Sequence, residues 1–196
     1  KICGDNFIVK DLKNGKFISA ISDGMGNGYS AFQESNTTLN LINDIVKLNL
    51  NSSTSLEVLN TFYSIQEYLE QYATLDLVEI NRYTKEAKFY KLGGTTTYIV
   101  KKNGKIEKIV NQNLPFGIGE NIENFNYYLE NDDLILMSSD GIFENIIEEQ
   151  LLEDFIQTIK QEAPQKIVYE ILNYAMNQKQ KTTDDMTLIA LKIKYV

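Results

Sequence analysis

The chain has 196 residues, 43% of them hydrophobic, with a net charge of −8, no histidine, one cysteine and one arginine. That is enough for one well-cored globular domain, and its acidity argues against nucleic acid or an anionic membrane as a partner. Without His, a Ser-His-Asp triad, a histidine general base and His-ligated zinc are excluded, and the lone Cys3 rules out an internal disulfide.

In chain order, residues 7–9 and 17–21 read as short strands joined by a turn at Lys13-Asn14-Gly15. Such a hairpin sets Asp5, before its first strand, beside Asp23, after its second. Cys3 is expected as a small, half-buried residue of the first strand. Residues 23–28 read Asp-Gly-Met-Gly-Asn-Gly, an acid and three glycines in six residues. A helical pattern covers 30–48, with Phe32, Leu39, Ile42, Ile45 and Val46 on its apolar side. A second covers 55–71, with Leu56, Leu59, Phe62, Ile65 and Leu69. The polar tract 49–54 separates them, and Thr54 or Ser55 is available as a cap.

Strands follow at 73–81, 87–92, 96–101 and 106–110, with turns at Gly93-Gly94 and Asn103-Gly104. Residues 134–138 form a continuous apolar strand, and Asp140 lies just past its end. Helices are expected at 149–161 and 164–179, with Pro164 suited to a first helical turn. The last strand, 186–193, has the run MTLIALKI, which suggests burial on both faces. Asp184 stands at its entrance. This order predicts an α+β fold of two antiparallel sheets packed as a sandwich and flanked by helix pairs. No linker or repeat is visible, so residues 1–196 are expected to form one domain. The chain opens at Lys1 and meets a motif almost at once, as a piece cut from a longer protein would.

Carboxylates are left to carry the chemistry. Asp5, Asp23, Asp140 and the Asp184-Asp185 pair fall at strand ends or turns. One acid in such a place is commonly a cap or turn residue. Four such sites, two of them Asp-Gly after an apolar strand, make that reading much weaker. Hard divalent cations take oxygen ligands. Asp23 can supply a carboxylate and Gly24 a main-chain carbonyl. Gly24, Gly26 and Gly28 permit positive φ and a close approach of backbone to a metal or phosphate. The competing reading of these glycines is a flexible strand-to-helix connection. An all-oxygen set favours Mg²⁺ or Mn²⁺, and two such ions about 4 Å apart can bridge a water, lower its pKa and aim it at phosphorus.

The stretches GDNF, ISDGMGNGYSAFQES, ATLDLVEIN, KLGGTTTYIV, NLPFGI, LILMSSDGIFEN and DDMTLIAL occur in this order. In series, across essentially the whole chain, they resemble the metal-dependent protein phosphatases of the PPM (protein phosphatase 2C-like) family. Within it the chain is similar to the bacterial sporulation branch, the stage II sporulation protein E (SpoIIE) family. The resemblance implies a dinuclear Mn²⁺ or Mg²⁺ site at one end of the sandwich. Asp23 would bridge both metals, Gly24 would coordinate through its carbonyl, and Asp5 would help hold one metal. Asp140 and Asp184 would complete the shell, with Asp23 and Asp140 as the catalytic acids. Asp185 stands where many relatives have Asn, and is expected behind the ligands.

The resemblance also implies a substrate, a phosphorylated anti-anti-sigma factor whose freed form leads to release of a sporulation sigma factor. It implies a cytoplasmic phosphatase domain on a membrane-anchored protein. Eukaryotic-type relatives grip phosphate with an early Arg, and none precedes Arg82 here, so that task falls to metals, backbone amides or Lys. The glycine loop leads directly into the 30–48 helix. Repacking of that helix on its neighbour, biased by a partner or by self-association through these helices, is expected to switch activity. The other readings are a generic PPM serine/threonine phosphatase, a two-metal nuclease, which the charge argues against, and a non-catalytic signalling module.

Overall fold

The computed structural model describes residues 2–12, 14–48, 52–65, 72–110, 113–119, 122, 124–146, 148–178 and 184–195. The opening alternation builds an antiparallel hairpin of β1 (Asp5–Asp11) and β2 (Lys16–Asp23). Its turn uses Gly15 in the left-handed region (φ 75°), next to Asn14, whose Oδ1 accepts the Lys16 N–H at 3.2 Å. Two helices follow, α1 (Tyr29–Lys47) and α2 (Ser52–Ile65). Then come β3 (Leu75–Asn81), β4 (Glu86–Leu92), β5 (Thr97–Val100), β6 (Ile106–Ile109), β7 (Asn124–Tyr128) and β8 (Leu134–Ser138). The chain ends with α3 (Asp140–Glu144), α4 (Glu149–Ile159), α5 (Pro164–Gln178) and β9 (Leu188–Lys192).

These elements divide into two compact units, one of Lys1–Gly94 and Asn111–Tyr128, the other of Thr95–Val110 and Leu129–Val196. The first holds an antiparallel sheet in the order β1-β2-β3-β4-β7. Ala20, Leu77 and Tyr90 on its strands meet Leu39 and Ile42 of α1 and Leu56 and Leu59 of α2, with Phe116 in the same core. The second unit holds an antiparallel sheet in the order β6-β5-β8-β9. Its core joins Tyr98 and Leu136 to Leu152, Ile156, Ile167 and Ile171 of α4 and α5. All five residues of β8 are buried, as its unbroken apolar run requires. The expected α+β class, with two antiparallel sheets and accompanying helices, is what the chain adopts.

Several expectations need correction. Thr54 and Ser55 do not cap α2 but lie inside it, because the helix starts at Ser52, whose hydroxyl reaches Glu79. Phe62 and Ile65 face outward on α2, 48% and 74% exposed, so its apolar stripe does not continue into the core; Leu69 and Gln71 lie outside the described residues. Strand β9 is not buried on both faces: only Ile189 is buried, because β9 is an edge of its sheet. Strand β7 was hidden in the sequence because Asn-Phe-Asn-Tyr-Tyr has low strand propensity at its Asn positions. Its alternate Phe125 and Tyr127 are half-buried where it pairs with β4. The short α3 directly after β8 is likewise additional. Cys3 is exposed and precedes β1.

One buried ion pair tests the packing of the first sheet. Lys91 of β4 is 0% exposed, and its Nζ lies 2.6 Å from Asp76 Oδ2 on β3. Burial pulls the Lys91 ammonium below the usual lysine pKa, against the attraction of Asp76. Removing one partner of such a pair costs about 3–5 kcal/mol, whereas an apolar replacement of both is near neutral. Lys91→Met should therefore lower the urea midpoint strongly, and adding Asp76→Leu should recover most of the loss. A single variant as stable as wild type would show that the pair does not stabilise the sheet.

Candidate functional site

In the first unit the hairpin register sets Asp5 directly opposite Asp23. This is the juxtaposition expected from the sequence, with both acids as the terminal residues of their strands. Asp5 is buried, and its neighbours are tied to α1. Ser35 Oγ donates to the Gly4 carbonyl at 2.5 Å, and Asn6 Nδ2 donates to Ser35 Oγ at 2.8 Å. The helix thus grips β1 on both sides of Asp5. Gly24 forms a bridge with Ala73, flanked by bonds from Thr74 N–H to the Asp23 carbonyl (2.8 Å) and from Met25 N–H to the Tyr72 carbonyl (2.9 Å). Since alternate residues of an antiparallel strand address opposite neighbours, the Gly24 carbonyl points to the β1 side, where Asp5 ends its strand.

The glycines divide into two kinds. Gly26 and Gly28 take φ of 92° and 74°, as expected, and carry the chain from β2 into α1. Gly24 does not use positive φ. A Cβ there would lie 1.9 Å from the Ala31 carbonyl oxygen, so glycine is needed because the first turn of α1 rests on it. The buried face of that helix is small and polar at its start, with Ala31, Glu34, Ser35 and Thr38. Glu34 is a buried carboxylate that sequence reasoning did not single out. Burial raises its pKa, Ser30 and the Met25 N–H oppose the rise, and its Oε2 has no hydrogen-bond partner. Its signal in the sequence was weak, because its buried neighbours at the start of α1, Ala31, Ser35 and Thr38, are small or polar rather than an apolar stripe.

In the second unit Asp140 opens α3 immediately after β8. Its pKa is raised, first by burial and second by the charge of Asp184, while the Gly141 N–H and its own N–H pull the other way. Its Oδ1 is buried with no hydrogen-bond partner. Asp184 is exposed, and its Oδ1 accepts the Asp185 N–H at 2.9 Å. A Cβ on Gly141 would lie 2.2 Å from the Asp185 carbonyl oxygen, so this glycine, like Gly24, is where a second backbone crosses an Asp-Gly corner. Asn145 Nδ2 donates to the Gly141 carbonyl at 2.7 Å and fixes that corner.

The structure brings Asp5 to Asp23 and Asp140 to Asp184. Among the described residues, no group of three or more His, Cys, Asp or Glu gathers in a way that could hold a metal ion. The donors nevertheless fit a hard divalent cation, because all are oxygens, one buried carboxylate oxygen lacks a donor, and Asp140 and Asp184 repel each other. A raised carboxylate pKa means that ionisation is costly in the folded state at neutral pH. Asp140→Asn should therefore raise the melting temperature of the metal-free protein. It should also shrink the further rise that Mn²⁺ gives the wild type through preferential binding to the folded state. An unchanged manganese response would remove Asp140 from the metal ligands.

The family model for stage II sporulation protein E (SpoIIE) matches residues 13–194. The chain is 33% identical over 201 residues to stage II sporulation protein E of Priestia megaterium, an alignment covering 99% of this chain and 34% of that protein. A structure of the PP2C phosphatase domain and a fragment of the regulatory domain of SpoIIE from Bacillus subtilis matches with a TM-score of 0.88 and 32% identity, over 100% of this chain and 60% of that one. RsbX in complex with magnesium has the same fold, with a TM-score of 0.74, 19% identity and coverage of 98% and 88%. The fold is that of the PP2C-type serine/threonine phosphatase domains. Within that class, the chain belongs to the SpoIIE family. It spans about a third of the length of its relative from Priestia megaterium.

Proposed function

We propose that residues 1–196 are one phosphatase domain of a longer protein, a metal-dependent protein serine phosphatase. Its substrate in this reading is the phosphoserine of an anti-anti-sigma factor, whose dephosphorylation activates a sporulation sigma factor. The observation that carries the reading is the pairing of acids at strand ends, Asp5 with Asp23 and Asp140 beside Asp184. By the resemblance, Asp5, Asp23 and the Gly24 carbonyl of the first unit and Asp140 and Asp184 of the second would hold Mn²⁺ or Mg²⁺; the magnesium complex of RsbX supports the metal class. Bound metal supplies an acidified water and offsets phosphate charge. The chain's own part is to hold the acids. The Asp185 N–H orients Asp184, the α3 N–H groups hold Asp140, and α1 fixes the strand around Asp5.

By the same resemblance the longer protein is membrane-anchored, with this domain on the cytoplasmic side. Among the described residues no helix is long and apolar enough to cross a membrane. Self-association through α1 and α2 is the regulatory counterpart of this reading, since Gly24 and the first turn of α1 touch directly.

The test is release of phosphate from a phosphorylated anti-anti-sigma protein with Mn²⁺ and with excess chelator. Manganese-dependent release is expected, and faster from the folded protein than from a short peptide around its phosphoserine, because no Arg precedes Arg82 to grip an isolated phosphate. Equal efficiency on unrelated phosphoproteins would favour a generic phosphatase. No release from any of them would favour a non-catalytic module.

A further inference from the structure

The two acid pairs share a device that lies outside the metal ligands. Continued two residues past the Ile21–Asp76 pair, the β2–β3 register places Asp23 opposite Thr74. In a regular antiparallel rung each residue's N–H would donate to the other's carbonyl. Thr74 N–H does donate to the Asp23 carbonyl at 2.8 Å. The Asp23 N–H donates instead to the Thr74 hydroxyl at 3.0 Å. The displaced Thr74 carbonyl accepts from Ser22 Oγ at 2.7 Å.

The second unit repeats this arrangement. The β8–β9 register ends at Ser138–Leu188, so the next rung pairs Ser139 with Thr187. Ser139 N–H donates to the Thr187 carbonyl at 3.0 Å, whereas the Thr187 N–H donates to the Ser139 hydroxyl at 2.9 Å rather than to its carbonyl. The freed Ser139 carbonyl accepts from Ile142 N–H in the first turn of α3 (3.4 Å). The same hydroxyl donates to the Asp185 carbonyl at 3.4 Å. Ser139 therefore joins the residue before Asp140 to the segment that carries Asp184.

We propose that Thr74 and Ser139 are positioning residues, each supplying its sheet with a hydroxyl rung that fixes the aspartates beside it. At Ser139 the side-chain oxygen as acceptor lets the main chain leave the ladder at once while both hydrogen bonds of the rung are kept, whereas beyond Asp23 the pairing runs on through Gly24 and Ala73. At Asp23 the N–H and the carbonyl are both held by Thr74, so the Cα–Cβ direction of the acid is set. At Ser139 the freed carbonyl starts α3, and Asp140 follows with no intervening loop. A carboxylate held in this way loses little freedom when it takes a ligand, and support of this kind behind a metal ligand is worth about 10–100-fold in affinity or activity. The inference rests on the metal reading above for its purpose, and on the hydrogen bonds alone for its geometry.

Thr74→Val keeps the shape and removes the acceptor, Thr74→Ser restores it, and Ser139→Ala removes the second hydroxyl. Amide exchange in the metal-free domain reads the geometry. Exchange at Asp23 N–H should accelerate in Thr74→Val and at Thr187 N–H in Ser139→Ala, with Thr74→Ser close to wild type. Titration with Mn²⁺ alone reads the purpose. Affinity should fall about 10–100-fold in Thr74→Val and Ser139→Ala, with turnover recovering at saturating Mn²⁺ and Thr74→Ser again close to wild type. Folded variants with altered exchange but wild-type manganese affinity would overturn the positioning role while leaving the metal reading intact. A wild-type domain that binds no Mn²⁺ would overturn both.

Discussion

Asp23→Asn is expected to abolish manganese-dependent turnover, by at least about a hundredfold, because even a residue behind a metal ligand is worth about 10–100-fold and Asp23 is read as the ligand shared by two ions. The substitution keeps the size, exchanges one acceptor oxygen for an NH2 donor and removes the charge. Its effect on folding should be small, since the Asp23 main-chain bonds to Thr74 do not involve the carboxylate. Asp11→Asn is the matched control. Asp11 is the other terminal residue of β1, 61% exposed at its side chain, and pairs with Arg82 at 2.8 Å on the surface. Exposed pairs of that kind are worth about 0–1 kcal/mol, so Asp11→Asn should turn over substrate like wild type. Phosphate release at saturating Mn²⁺ measures both. An Asp23→Asn enzyme that keeps its rate would place the reaction elsewhere.

Gly24→Ala and Gly141→Ala are expected to destabilise the domain by roughly 3 kcal/mol each, near the top of the range for overpacking. The reason is what a methyl group would meet: the Ala31 carbonyl oxygen at 1.9 Å in one case and the Asp185 carbonyl oxygen at 2.2 Å in the other. Both obstacles are main chain, so no rotamer change relieves them. Gly26→Ala separates this cause from ordinary glycine flexibility. Gly26 has φ 92° and nothing within 4 Å of a Cβ, so only backbone strain of about 1–2 kcal/mol applies. Urea unfolding of the three variants gives the ranking. If Gly24→Ala costs no more than Gly26→Ala, the close approach of α1 to the Asp-Gly corner is not a constraint on the sequence. Gly24→Ala should also weaken Mn²⁺ binding, because the Gly24 carbonyl must move with the displaced backbone.

The hairpin and its acids were legible in the sequence for a local reason. Strand alternation and an Asn-Gly turn fix the register of β1 on β2, and the register alone sets Asp5 opposite Asp23. The continuous apolar run of β8 likewise announced a strand with Asp140 just past its end. The absence of His and the acids at strand ends already limited the chemistry to oxygen ligands. What the tertiary structure decided depends on residues far apart in the chain. Gly24 is glycine because of Ala31, Gly141 because of Asp185, the rung at Asp23 uses the hydroxyl of Thr74 opposite it, and the rung at Ser139 uses Ser139's own hydroxyl to take the Thr187 N–H. The outward Phe62, the partly exposed β9 and the buried Glu34 are also settled by which neighbour covers a face. Periodicity shows that a segment has two faces, but only the packed chain determines what lies against each of them.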